Sequence, residues 1–292
     1  MGGGGSIVNF GELSKPATVL IEKISAAIGG IFKPYQIIRV AKAEAEADKI
    51  HSESQIQITD VHRRAMHRFL EEEAKKQTNI EDITQKALPL LKDEAVPQNV
   101  EDDWITNFFD KSRIVSDADM QQLWAKVLAG ESNTPGTFSR RTVNLLPDLD
   151  KHDAELFKTL CGFGWTIGGL IPLVFDSEID LYNRHGVNFE TLSHLESLGL
   201  IQFGSLAGYQ FSGTWKNLAV SYYGRPVVLT FPGEGKSTLA TGKVLLTKAG
   251  KELATVCGSK PVEGFFEFVC EQWRHQSLIP KTDPESDSEL AN

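Results

Sequence analysis

A chain of 292 residues has room for about two domains. Its hydrophobic share of 41% and formal charge of −9 exclude a multi-span membrane protein. They also disfavour a general nucleic-acid binder, which needs Lys and Arg to displace phosphate counterions. Three cysteines, Cys161, Cys257 and Cys270, are too few and too widely spaced for a disulfide framework or a C-x-x-C pair. They read as buried free thiols in a reducing cytoplasm.

The opening residues 1–9, beginning MGGGGS, read as a flexible leader, and no secretory signal pattern follows them. The stretch KPATVLIEKISAAIGGIFKPY, residues 15–35, comes next. Leu20, Ile24, Ile28 and Ile31 fall at helical spacing, with Ile21 and Phe32 beside them. Glu22 and Lys23 interrupt the apolar run, which disfavours a constitutive membrane span. Ser25 with Gly29, and Ala26 with Gly30, are two overlapping pairs of small residues four apart, a spacing that lets helices approach closely in lipid. Two readings stand: an amphipathic helix packed on the protein's own core, or a segment that meets a bilayer in one state and is stowed in another.

From Tyr35 to about Gln77 the sequence is polar, rich in Ala, Glu and Lys, and free of Gly and Pro. It predicts a long exposed helix, or half of an intermolecular contact, with a thin apolar stripe through Ile58, Val61, Ala65 and Phe69. That stripe is too broken for a strict heptad coil. A second helical run, NIEDITQKALPLL, leads to an acidic connector containing Pro97. Two more helices follow. The first carries Trp104, Ile105, Phe108 and Phe109 on one face, with Asp102 and Asp103 as its N-cap and first-turn charge. The second begins at a Ser116 and Asp119 capping signature and ends near Gly130. Ser139 is placed to cap RRTVNLLPDL, and DKHDAELFKTL is a further amphipathic helix.

The run TLCGFGWTIGGLIPLVF, residues 159–175, holds no charge but several glycines, and reads as a buried helix-to-strand segment. The pattern then changes. A helix over NFETLSHLESLG stops at Gly199 and passes into a short strand. YQFSGT, LAVSYYG and RPVVLTF read as strands, GKVLLTKAGKELA as a strand and a Thr-capped helix, and VEGFFEFVCEQWRHQ as a last helix. The tail from residue 280 is polar and acidic and reads as disordered.

Candidate chemistry is sparse. PGEGKST, residues 232–238, matches the second half of a phosphate-binding loop through Gly235, Lys236 and Ser237. The first glycine is missing, because position 230 is Thr, and the segment lies between strands, so it reads as a hairpin turn. His62 and His67 are five apart on a helix and splay apart, and His152, His185, His194 and His275 are scattered singly. No catalytic, cofactor or metal site is expected, and the chain is read as a non-enzyme. The order helix, LGLI, strands, LLTKAGKEL resembles a winged helix with an enlarged β-wing. Its recognition helix carries Glu190 and Glu196 and no Lys or Arg, which disfavours DNA.

The expected architecture is mainly α with a smaller α+β part. Residues 10–97 form the apolar helix and polar arm, 98–160 a helical domain, 161–279 the winged-helix-like domain, and 280–292 the tail. The segments GELSKPATVLIEKISAAIGGIFKPYQIIRVAKAEAEADKI, DDWITNFFDKSRIVSDADMQQLWAKVLAGE, PGTFSRRTVNLLPDLDKHDAELF and HLESLGLI…LTKAGKELA together resemble a bacterial, often prophage-borne family of unknown function. More remotely, their order is similar to abortive-infection proteins of the Abi-alpha type. That resemblance implies a cytoplasmic anti-phage defence protein that senses a phage structural assembly, such as a ring-shaped portal or small terminase. It implies homo-oligomerisation on activation and disruption of the inner membrane. The residues expected to insert and associate are Leu20, Ile21, Ile24, Ser25, Ala26, Ile28, Gly29, Gly30, Ile31 and Phe32. The rival expectation is a cytosolic winged-helix adaptor or transcriptional regulator that binds protein or DNA.

Overall fold

The computed structural model describes residues 13–29, 60–204, 206–233 and 235–279. The expected leader, the arm over residues 30–59 and the acidic tail over 280–292 lie outside them. The described residues are mainly helical, with ten α-helices and eight short strands in small antiparallel sheets. The chain divides into two compact units between Pro147 and Asp148, so the 151–161 helix belongs with the residues that follow it.

The N-terminal unit is helical. Helix α1 spans Lys15–Ile28, α2 Asp60–Ala87, α3 Asp102–Ser112, α4 Ala118–Asn133 and α5 Arg140–Leu145. The two helical runs expected around Gln77 are one helix, because no Gly or Pro interrupts α2 before Pro89. Its last three turns bury Ile80, Ile83 and Ala87, and α2 lies against α4. The aromatic centre of the unit is Phe108, stacked at 5.1 Å on Trp104 and edge-on at 5.1 Å to Trp124.

Polar groups buried beside this core are satisfied in pairs. Asn79 Nδ2 donates to the Arg113 carbonyl at 2.8 Å, and its Oδ1 accepts from Gln121 Nε2 at 3.3 Å. Gln121 in turn accepts from Lys86. Glu131 is 4% exposed, and its carboxylate accepts from the amides of Gly136 at 2.6 Å and Phe138 at 2.7 Å. These two charge-assisted bonds shape the loop that returns from α4.

Three expected helix boundaries are corrected. Asp117, not Ser116, caps α4, accepting from the Asp119 and Met120 amides at 3.0 Å each. Gly130 does not end α4, which runs to Asn133. A Cβ at position 130 would stand 2.6 Å from the Phe138 ring, so the glycine serves close packing inside the helix. Glu101, not Asp102, occupies the N-cap of α3, and both aspartates sit in its first turn.

The C-terminal unit begins with α6, Lys151–Cys161, opened by a capping box in which Asp150 and Asp153 each accept the other's backbone amide. Strands β1, Gly164–Thr166, and β2, Leu170–Pro172, form a hairpin in the segment read as a buried helix-to-strand passage. Phe163, Trp165, Ile167, Leu173 and Val174 are buried there. Helices α7, Asp180–Asn183, and α8, Phe189–Ser197, follow.

The remaining strands are β3 Ile201–Phe203, β4 Tyr209–Gly213, β5 Asn217–Tyr222, β6 Arg225–Thr230, β7 Ser237–Gly242 and β8 Val244–Leu246. They pair concentrically: β3 with β8, β4 with β7, and β5 with β6, all antiparallel. The innermost pair also joins β1, giving a sheet in the order β2-β1-β5-β6. Helices α9, Lys248–Ala254, and α10, Phe265–His275, complete the unit, with Thr247 capping α9 through the Gly250 amide at 3.1 Å. Trp165 is fully buried at the centre, stacked on Tyr222 at 5.3 Å and Phe266 at 5.5 Å and edge-on to Trp273 at 4.7 Å.

The 232–238 segment is not a hairpin turn. It connects β6 to β7, which belong to different sheets. No helix follows it to present amides to a phosphate.

Candidate functional site

Helix α1 carries most of the residues singled out in the sequence. Ser14 caps it, accepting from the Ala17 amide at 3.4 Å, and Pro16 lies in the first turn, where no amide is required. Ala17, Leu20, Ile21 and Ile24 form one buried stripe against α3 and the 3-10 turn at Pro97–Asn99. Leu20 and Ile24 are completely buried and Ile21 is 5% exposed. Ile28 and Ser25 are half-buried, and Ala26 faces solvent. The Ser25 hydroxyl is shielded and has no hydrogen-bond partner among the described residues. Gly29 ends the helix at φ 84, a conformation that favours glycine. Gly30, Ile31 and Phe32 lie outside the described residues.

The small residues therefore do not share one environment. Successive helical positions are turned by about 100°, which sends Ala26 away from the face that buries Ile21 and Ile24. One polar clasp accompanies the apolar stripe. Lys23 Nζ lies 2.9 Å from Asp102 Oδ1 and donates to the Gln98 carbonyl at 3.2 Å. The sequence had marked Lys23 only as an interruption. Its partner Asp102 could not be chosen without knowing that α1 meets the start of α3.

Helix α1 has 14 residues and so rises about 21 Å, short of the roughly 30 Å hydrocarbon core. No helix among the described residues is long and apolar enough to cross a membrane.

The first half of α2 contrasts with its second. Val61, Met66, Phe69 and Leu70 are 57–63% exposed. Counting from Met66 in steps of three and four gives Phe69, Glu73, Lys76, Ile80, Ile83 and Ala87, so the core stripe continues outward along the helix. Glu73 and Lys76 interrupt it as an ion pair at 2.6 Å. His62 and His67 are exposed on this arm.

Titratable groups gather elsewhere in one notable pair. His194 Nε2 on α8 stands 2.6 Å from Asp153 Oδ1, and Asp153 is 6% exposed. Burial pushes the Asp153 carboxyl up, but the His194 hydrogen bond and the Asp150 amide outweigh it and hold the group below its ordinary range. His194, scattered in sequence, is thus paired in space with a residue 41 positions away. Likewise the fold brings Cys161 beside Cys257, and that neighbour together with burial raises the Cys161 thiol well above its usual pKa. All three cysteines are free, and Cys257 is half-buried rather than buried. Tyr222 donates to the Gly162 carbonyl at 2.8 Å and accepts from the Val262 amide at 2.6 Å, and burial pushes its phenol up to about 12. Among the described residues no cluster of three or more His, Cys, Asp and Glu is arranged to hold a metal ion.

No curated protein and no solved structure matches the chain. A family model described as "Protein of unknown function (DUF2806)" matches residues 63–270, most of both compact units, with the exposed arm of α2 at its leading edge. The chain belongs to this family.

Proposed function

We propose that the protein is an abortive-infection effector that binds an assembled phage structural protein, gathers into homo-oligomers, and then damages the inner membrane through α1. The reading places it in the cytoplasm at rest and on the membrane once activated, with no enzymatic step. It agrees with the remote similarity of the sequence order to Abi-alpha type abortive-infection proteins.

The observation that carries it is how α1 is held. Burying Leu20, Ile21 and Ile24 contributes about 1.5–3 kcal/mol per side chain, before the entropy of ordering the helix is subtracted. A bilayer interface offers the same apolar face comparable burial, so moving between the two sites costs little on that account. The remaining hold is the Lys23 clasp on Asp102, which is 79% exposed and therefore weak. Gathered copies would raise the local concentration of released helices. Because α1 is short, it would lie in the interface or enter partway rather than span as a single helix.

The test is dye release from vesicles of bacterial inner-membrane lipid, using the full chain and a form lacking residues 1–34. Each is measured with and without assembled phage portal or small terminase. Release that needs both the segment and the assembly is expected. Equal release from the truncated form would sink the proposal.

A second reading rests on the concentric β3–β8 excursion, which begins just after α8 and closes just before α9. That order suits a winged helix with an enlarged wing, working as a protein-binding adaptor or a transcriptional regulator. Its outcome in the same experiments is a partner complex, or operator binding, that is indifferent to residues 1–34.

A further inference from the structure

We infer that the exposed half of α2 is a self-association surface, on which a second copy of this chain packs antiparallel. The inference does not depend on membrane activity.

The apolar residues Val61, Met66, Phe69 and Leu70 stand open on a helix whose continuing stripe is already a packed core face from Ile80 onward. A helix face of this kind seeks a partner helix. The charge order selects the occupant. Arg63, Arg64 and Arg68 come first, and Glu71, Glu72 and Glu73 come next. Two such arms aligned parallel and in register would set Arg against Arg and Glu against Glu. Turned antiparallel about a point between His67 and Arg68, they place Met66 level with Phe69 of the second copy. The same rotation brings Arg63 and Arg64 level with Glu72 and Glu71 of the second copy. Apolar layers and charge blocks are then satisfied by one alignment. Intrahelical pairs such as Arg68 with Glu72 at 3.4 Å are solvent-exposed and do not compete strongly with it. The arm is short, and its apolar seam is limited to a few side chains per copy. The contact is therefore a concentration-dependent dimer at the low end of interface sizes, not an obligate one.

Sedimentation equilibrium on the full chain, over a wide concentration range, reads the dimer directly. Phe69→Glu should weaken it at least tenfold while leaving the far-UV spectrum and thermal transition unchanged, since the side chain is 57% exposed. Arg63→Glu/Arg64→Glu and Glu71→Arg/Glu72→Arg should each weaken self-association to a similar degree, because each makes the facing blocks alike. An equimolar mixture of those two variants should restore it as a heterodimer. A parallel pair would not give this pattern, because its wild type already faces like with like. The inference is overturned by a wild-type chain that stays monomeric throughout, as it would if another part of the same chain covered the face. An oligomer indifferent to all of these substitutions also overturns it.

Discussion

The two compact units treat their apolar residues differently. In the C-terminal unit Trp165, Trp273, Phe163, Phe265 and Tyr182 are closed into one aromatic core, and helices and strands contribute to it together. In the N-terminal unit the core around Phe108 and Trp124 is equally closed, but its margins are not. One helix is laid on by a single stripe and one clasp, and another extends an apolar face beyond the core. A side chain enclosed on every side has no second place to go. A stripe that a bilayer or another helix could equally well cover is where a change of state costs least.

This contrast can be broken from either side. The largest effect is expected from Trp165→Ala, which removes the centre of the aromatic core of the C-terminal unit. A loss of about 3–5 kcal/mol is expected in urea unfolding followed by hydrogen exchange of residues 148–292, with residues 60–147 little changed. Glu131→Ala strikes the closed part of the N-terminal unit and leaves the Gly136 and Phe138 amides without their acceptor. It should cost about 2–3 kcal/mol, read by the same method over α4 and the loop that follows it.

Asp153→Asn tests the polar join between α6 and α8. The folded Asp153 pKa is depressed, so its contribution is full above the ordinary carboxylate value of about 3.9 and is lost as the pH falls through the lower folded value. The variant should show a flatter acid limb in stability measured from pH 7 down to pH 2. An unchanged limb would remove the pair as a determinant.

The smallest thermodynamic effect belongs to Lys23→Ala. Loss of an exposed ion pair should cost at most about 1 kcal/mol of stability, yet raise vesicle leakage about two- to fivefold by easing release of α1. Unchanged leakage would show that the clasp does not govern release and would sharpen the contrast towards the apolar stripe alone.

Local patterns were legible where one residue type controls one local geometry. Gly199 ends α8, Thr247 caps α9, and the strands over 209–230 follow from β-branched and aromatic residues between turn residues. The cap of α4 was misassigned by one position because Ser116 and Asp117 are both competent caps. Only the fold, which points Ser116 at Asn79, separates them. Gly130 was read as a stop signal because its role as a seat for the Phe138 ring involves a residue eight positions on. The 232–238 segment was read as a hairpin turn because strand neighbours in sequence usually pair, whereas here each pairs with a different strand.

By itself the sequence determined the helix and strand content, the amphipathic stripe of α1 and the open charge-blocked arm of α2, because periodicity and charge are local properties of the chain. The tertiary structure decided which partners those faces meet: Asp102 for Lys23, His194 for Asp153, Cys257 for Cys161. Each of those pairings joins residues dozens of positions apart, and only the packing of whole elements brings them into contact. The same packing leaves Phe69 in water while Ile80, on the same stripe of the same helix, is buried, since the core of the N-terminal unit covers only the last turns of α2.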